Sequence, residues 1–272
     1  MDRIGKAVIM ARGLGTRMRK SDESAVLSQD QIVAAGTGVK AMIPIGRPFL
    51  DYVLSGLADA GYSDVCLVIG PEHQVMRNYY LEQAPPKRVR IHFAVQEEPL
   101  GTADAVLAAK EFAGRGLFLV INSDNYYPSE ALKALGQLGQ AGVALFDRDR
   151  LVAESNIPAD RILKFAVAKQ DEKGYLEHIY EKPDDNAIRE LGLPILVSMN
   201  SWIFSPAIFE ACSSIRPSIR GELELTDAIQ YSMDVLGERY KVLAFRSPVL
   251  DLSSRSDIGA VAGRLRHLTP NP

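Results

Sequence analysis

The chain has 272 residues, 47% of them hydrophobic, and a formal net charge of −3. No basic field is present to hold a nucleic-acid backbone, which speaks against a nucleic-acid partner. No apolar run approaches the ~20 residues of a membrane span, and the N-terminus carries no cationic leader with a cleavage site, so a cytoplasmic chain with no membrane partner is expected.

In chain order, apolar runs at 4–10, 65–69, 89–95, 117–122 and 143–146 read as strands. Between the first two, Phe49, Val53, Leu54 and Leu57 keep helical spacing until Gly61 stops the turn, and 103–112 repeats the pattern after Thr102 as N-cap. Such alternation builds a mostly parallel sheet covered on both faces. In the second part, 162–168 and 175–180 read as an antiparallel pair joined across 170–174, and 196–204 as a further strand. Helices are expected near Pro206 with Ser205 as cap, near Glu222, and around 256–267, so the sheet should be mixed.

No Pro/Gly/Ser-rich linker, charge run or internal repeat divides the sequence, and one domain over 1–272 is preferred to two small ones. Cys66 and Cys212 fit buried thiols better than a disulfide or a metal pair. His73, His92, His178 and His267 lack metal-ligand spacing, and Trp202, Tyr126 and Tyr127 are assigned to core packing rather than to stacking on a sugar or base.

Directly after the first strand stand Ala11-Arg12-Gly13-Leu14-Gly15-Thr16-Arg17-Met18. Two glycines spaced by one residue let the backbone turn tightly and aim N–H groups at an anion, and Arg17 adds fixed charge and paired donors. Met18 stands where a dinucleotide fingerprint needs a small residue, and the Gly-Lys-Ser/Thr of a P-loop is missing. The segment reads as a polyphosphate cradle. Ligands of open α/β sheets gather at the carboxyl ends of strands, where 11–17, Gln96 and Asp124 all fall, so one cleft lined by all three is expected.

The cradle is followed by Gly38-Val39-Lys40-Ala41-Met42-Ile43-Pro44-Ile45, by QEEPLGTA at 96–103, and by Asn122-Ser123-Asp124-Asn125. Glu181-Lys182-Pro183, Met199-Asn200-Ser201-Trp202, Gly221-Glu222 and Asp251-Leu252 complete the series. In order and spacing, over roughly residues 4 to 260, it resembles the sugar-1-phosphate nucleotidylyltransferase (nucleotide-sugar pyrophosphorylase) family. The resemblance implies an α/β fold: a three-layer α/β/α, Rossmann-like (GT-A-like) domain with a mixed, mostly parallel central sheet. Its nucleotide-binding part would span about 1–150 and its sugar-phosphate-binding part about 151–272. The implied reaction joins a nucleoside triphosphate to a sugar 1-phosphate and releases pyrophosphate, a chemistry carried by positioning and charge neutralisation.

On that resemblance Arg17, Lys40 and Asp124 form the catalytic set, with Arg17 at the β/γ-phosphates and Lys40 near the α-phosphate. Asp124 and Asp251 are the implied ligands of Mg²⁺, which prefers oxygen and keeps part of its hydration. Ala11, Arg12, Gly13, Gly15, Thr16, Gly101 and Thr102 surround the nucleotide. Gln96, which can both donate and accept, reads the base; uracil or thymine is favoured, with cytosine and adenine left open. Lys182 meets the incoming phosphate, and Glu181, Asn200 and Glu222 serve the sugar side. A homo-oligomer is allowed for.

Three departures from the family pattern stand out. The stretch between Arg17 and Lys40 is roughly a dozen residues longer than relatives carry, a lid or an oligomer contact. Val39-Lys40 replaces the usual Pro-Lys, and Arg12 replaces Gly or Ala, where a long cation could crowd or contact the nucleotide. Two other readings stay open: a non-catalytic nucleotide-sugar-binding regulator of the same fold, and a GT-A-type glycosyltransferase, for which Ser123-Asp124-Asn125 lacks the Asp-x-Asp motif.

Overall fold

The computed structural model describes residues 3–162, 164–184, 188–189 and 191–272. Its strands are β1 (Lys6–Met10), β2 (Asp64–Ile69), β3 (Arg90–Val95), β4 (Phe118–Asn122), β5 (Asn125–Tyr126) and β6 (Gly142–Asp147), followed by β7 (Val167–Gln170), β8 (Leu176–Tyr180), β9 (Leu196–Phe204), β10 (Lys241–Phe245) and β11 (Leu250–Asp251). One sheet runs in the order β10-β6-β9-β4-β1-β2-β3, with β7 on β9 and β8 on β7. Strands β1 to β4 pair in parallel, as do β6 and β10, while β9 runs antiparallel between β4 and β6. The mixed sheet is as expected.

Each central strand serves two cores. Ala7 and Ile9 of β1 enter one apolar cluster with Leu50, Val53, Leu54 and Leu57 of the helix Phe49–Asp59. Val8 and Met10 enter the other, with Ala105 and Val106 of the helix Thr102–Ala108 and Ile229 of the helix Leu225–Asp234. Burial on both faces explains why these strands read as unbroken apolar runs, whereas the edge strand β3 does not. Both cysteines are buried and free, and Trp202 and Tyr127 lie in the core.

Three sequence expectations are corrected. The strand expected from Ile162 begins only at Val167: Pro158 opens a helical turn, Ala159–Ile162, and its carbonyl accepts from the N–H groups of Arg161 and Ile162. Leu163, inside that expected strand, lies outside the described residues. The helix expected near Glu222 starts at Leu225, because the preceding stretch is extended to bond the 100–103 loop, Leu223 N to Leu100 O at 2.7 Å and Ala103 N to Leu223 O at 2.9 Å. Thr102 is the first helical residue rather than the cap, and its hydroxyl accepts from Leu225 N–H across the gap.

In the order β3-β2-β1-β4 the chain leaves β1 to one side and returns on the other, so the loops after β1 and β4 diverge at a topological switch point. Ser123 N donates to Met10 O at 3.2 Å and holds the two strand ends together. Gly15, at φ 61, packs against the Gly38 carbonyl so closely that any Cβ would strike it. Gly15→Ala is therefore expected to lower unfolding free energy by about 2 kcal/mol or more, from left-handed backbone strain plus the clash, read from denaturant melts; an unchanged midpoint would contradict this packing.

Candidate active site

A cleft of about 510 Å³ opens at the carboxyl ends of β1, β3 and β4. Ala11, Arg12, Gly13, Gly15, Thr16 and Arg17 line one side, Lys40 and Asp124 another, and Gln96, Gly101, Thr102, Asn200 and Glu222 the rest. The structure thus brings together thirteen of the sixteen expected site residues. Asp251 sits behind the wall, and Glu181 and Lys182 lie outside the lining.

The cradle has the donors an anion needs. Among the described residues, no acceptor takes the backbone N–H of Arg12, Gly13, Leu14 or Gly15, and the short helix Thr16–Arg19 opens directly after them. A Cβ at Gly13 would meet no protein atom within 4 Å, so the absent side chain leaves room on the cleft side. Arg17 is exposed in the cleft and has no partner among the described residues.

Arg12 does not crowd this space. Its Nη1 pairs with Glu72 Oε1 at 2.6 Å and its Nε donates to the Gln96 carbonyl at 3.1 Å, leaving it buried in the wall. Gly70 makes the room, since a Cβ there would collide with the Arg12 side chain. The long 18–39 stretch packs beside the cradle: Arg19 donates to Thr37 O, Gln31 Nε2 donates to Pro44 O at 2.9 Å, and Arg255 Nε donates to Met18 O at 3.0 Å. Its helix, Gln29–Thr37, carries a Ser28/Gln31 capping box and delivers the chain to Lys40.

Lys40 Nζ lies 2.8 Å from Asp124 Oδ2, both half-buried. Asp251 adjoins them because β11 pairs with β5, Asp251 opposite Asn125, and Leu252 N donates to Asp124 O at 2.8 Å. Asn125 Nδ2 donates to Asp251 Oδ1 at 3.0 Å, while Asn156 grips the Asp251 main chain, accepting from its N–H and donating to its C=O. Arg161, held in a two-bond fork by Asp257, forms an ion pair with Asp251 Oδ2 at 3.2 Å, although among the described residues that oxygen accepts no hydrogen bond of good geometry. Asp251 is thus a buried strand residue and no helix cap.

Asn200 sits within β9 at φ 53, a left-handed conformation that asparagine tolerates. Tyr127, fully buried, donates to Met199 O at 2.6 Å and accepts from Asn122 N–H at 3.3 Å, tying this kink to the end of β4. Glu181, Arg220 and Glu224 form an ionic cluster; desolvation, then the charge of Glu224, raises the Glu181 carboxyl above its usual range. Sequence reasoning missed Tyr127, Asn125, Asn156 and Arg161 as site supports. Only Asn125 stood within a recognised motif.

Burial, then the nearby Asp124 charge, raises Asp251 from 3.8 to about 6, against the opposing pull of Arg161. The folded chain therefore retains a proton that the unfolded chain has lost between those pH values. This residue subtracts stability as pH rises through that window. Asp251→Asn is expected to melt above the wild type at pH 7.5, with the margin closing towards pH 4; a lower melting temperature at pH 7.5 would contradict the burial argument.

Over residues 6–261 the chain matches the family described as nucleotidyl transferase. It is 29% identical to the low-salt glycan biosynthesis nucleotidyltransferase Agl11 of Haloferax volcanii, over 83% of this chain and 56% of that protein. With a glucose-1-phosphate thymidylyltransferase of Streptomyces antibioticus it shares 31% identity, over 84% and 57% of the two chains. With the UTP–glucose-1-phosphate uridylyltransferase AglF of Haloferax volcanii it shares 27%, over 82% of each. The chain thus spans just over half the length of the first two relatives. Its fold matches that of a UDP-glucose pyrophosphorylase crystallised with UDP-glucose, at a TM-score of 0.75 and 20% identity, covering 97% of this chain and 98% of that one. The chain belongs to the nucleotidyl transferase family.

Proposed function

We propose that residues 1–272 act as one nucleotidylyltransferase unit that joins UTP or dTTP to a sugar 1-phosphate and releases pyrophosphate. The observation that carries this reading is the row of N–H groups from Arg12 to Gly15, without acceptors among the described residues, in a cleft that Lys40 and Asp124 also line, with Asp251 behind. Four main-chain donors and the free guanidinium of Arg17 hold the β- and γ-phosphates and take up the charge of departing pyrophosphate. Lys40 stands where negative charge builds at the α-phosphate. Gln96 meets the base, and Asn200 and Glu222 meet sugar hydroxyls. Glu181 and Lys182 stand outside the cleft lining, on the loop after β8; from there Lys182 would meet the incoming sugar phosphate and Glu181 a sugar hydroxyl.

The residues fit a divalent cation. Asp251 Oδ2 is a buried carboxylate oxygen that accepts no hydrogen bond of good geometry among the described residues, next to Asp124, and hard oxygen donors suit Mg²⁺. Asp124 and Asp251 would hold it, and when bound it would neutralise charge on the phosphates. Among the described residues no group of three His, Cys, Asp or Glu gathers, so phosphate oxygens and water would complete the shell. The relatives' names, one a thymidylyltransferase and one a uridylyltransferase, support the choice of nucleotide.

Pyrophosphate release from UTP or dTTP across a panel of sugar 1-phosphates, with magnesium, tests the reading. Turnover is expected with at least one sugar, and reverse pyrophosphorolysis of the product should also occur. Arg17→Ala and Asp124→Ala should each lower kcat/KM by about 100-fold or more. Tight nucleotide binding without pyrophosphate release from any sugar would favour a regulator; transfer from a finished nucleotide sugar to an acceptor would favour a glycosyltransferase.

A further inference from the structure

The hydrogen bonds around Gln96 leave one of its polar atoms uncommitted. Its main-chain N–H donates to Ile69 O at 2.9 Å, and its carbonyl accepts from Arg12 Nε at 3.1 Å. The side-chain nitrogen donates twice, to Gly101 O at 3.0 Å and to Asp104 Oδ2 at 2.8 Å. Both partners are pure acceptors. An inverted amide would set Oε1 against two oxygens and is excluded on charge alone, so the amide has one orientation. Among the described residues nothing donates to Oε1, while Gln96 is 3% exposed and lines the cleft.

We propose that Asp104 is the specificity-determining positioning residue of the base site, because it locks Gln96 so that only the acceptor Oε1 faces the nucleotide. The inference rests on the nucleotidyl-transfer reading and deepens it. An acceptor at this point accepts an N–H on the base edge and repels a lone pair. Uracil and thymine present N3–H there; cytosine presents a bare N3. Opposing Oε1 with that lone pair leaves two acceptors unpaired in a desolvated wall, a penalty worth tenfold or more in affinity. Asp104 does this without touching the base. It projects from the first turn of the helix Thr102–Ala108, and that helix is fixed to the opposite lip by the bond from Leu225 N to Thr102 Oγ1 and by Ala103 N to Leu223 O. Gly101 completes the lock. At φ 123 its absent Cβ would lie 2.5 Å from Leu223 O, so only glycine brings that carbonyl to Gln96.

Calorimetric titration of UTP, CTP and 3-methyl-UTP into the full chain, in magnesium buffer, tests the proposal. The wild type should bind UTP about tenfold or more tightly than CTP or 3-methyl-UTP, whose N3 carries no hydrogen. Asp104→Ala should shrink the UTP:CTP ratio to about threefold or less. Asp104→Asn, which keeps an acceptor oxygen, should restore it. A merely structural role would weaken all three nucleotides together and leave the ratio unmoved. Equal binding of UTP and 3-methyl-UTP by the wild type overturns the proposal without any variant, as does an unchanged ratio in Asp104→Ala. If none of the nucleotides binds, the nucleotidyl-transfer reading itself falls, and this inference with it.

Discussion

The site depends on holding Asp251 in a ladder only two residues long. Strands β5 and β11 are buried against the core, but a pair of that length has no independent stability. It forms because Asn156 occupies both main-chain groups of Asp251 while Leu252 N–H reaches Asp124 O. That arrangement sets an acid from the last quarter of the chain beside one from the first half. The buried charge is then balanced from one side by Arg161, which Asp257 fixes while also closing the capping box of the helix Arg255–Leu265. A change at Asn156, Arg161 or Asp257 acts on Asp251 through its neighbours, behind the wall that Asp124 lines.

Charge pairing in the cleft is complementary to the proposed ligand. Lys40 and Asp124 satisfy each other at 2.8 Å, while among the described residues the N–H row and Arg17 have no partner. The proposed metal triphosphate would replace both members of that pair in kind: phosphate oxygen for the carboxylate at Lys40, and a cation for the ammonium at Asp124. The exchange leaves no charge stranded in a half-buried wall, where a lone one would be costly. The same balance explains a stability burden at Asp251. A carboxylate buried close to another acid lowers folding stability as it ionises, even with Arg161 beside it.

Much of this was legible in the sequence, and the limits have particular causes. Central strands announce themselves because burial on both faces demands continuous apolar runs, and the residues at their carboxyl ends follow from the sheet order. Residues 162–168 misled because an apolar run of that length suits a helix turn as well as a strand, and Pro158 decided between them. The helix expected near Glu222 starts later because the extended form before Leu225 is imposed by the 100–103 loop, distant in sequence. Asn156 and Arg161 carry no motif; their roles exist only once β11 is in place. Glu181 and Lys182 were joined to the site through the resemblance, and the fold leaves them outside the cleft lining.

The departures from the family pattern resolve by the same reasoning. A cation at position 12 would crowd a nucleotide only if it projected into the cleft, and Gly70 and Glu72 instead give it a slot and a counter-charge in the wall. From there its Nε takes the Gln96 carbonyl. Arg12 thereby fixes the main chain of Gln96, the proposed base reader, while Asp104 and Gly101 hold its amide. The long stretch before Lys40 fits the same scheme. Gly38 packs onto Gly15, so the inserted residues are tied to the cradle at its tightest turn before the chain delivers the ammonium to Asp124. Lengthening the loop leaves the cradle and Lys40 mechanically coupled, because both ends of the insertion close on one glycine contact.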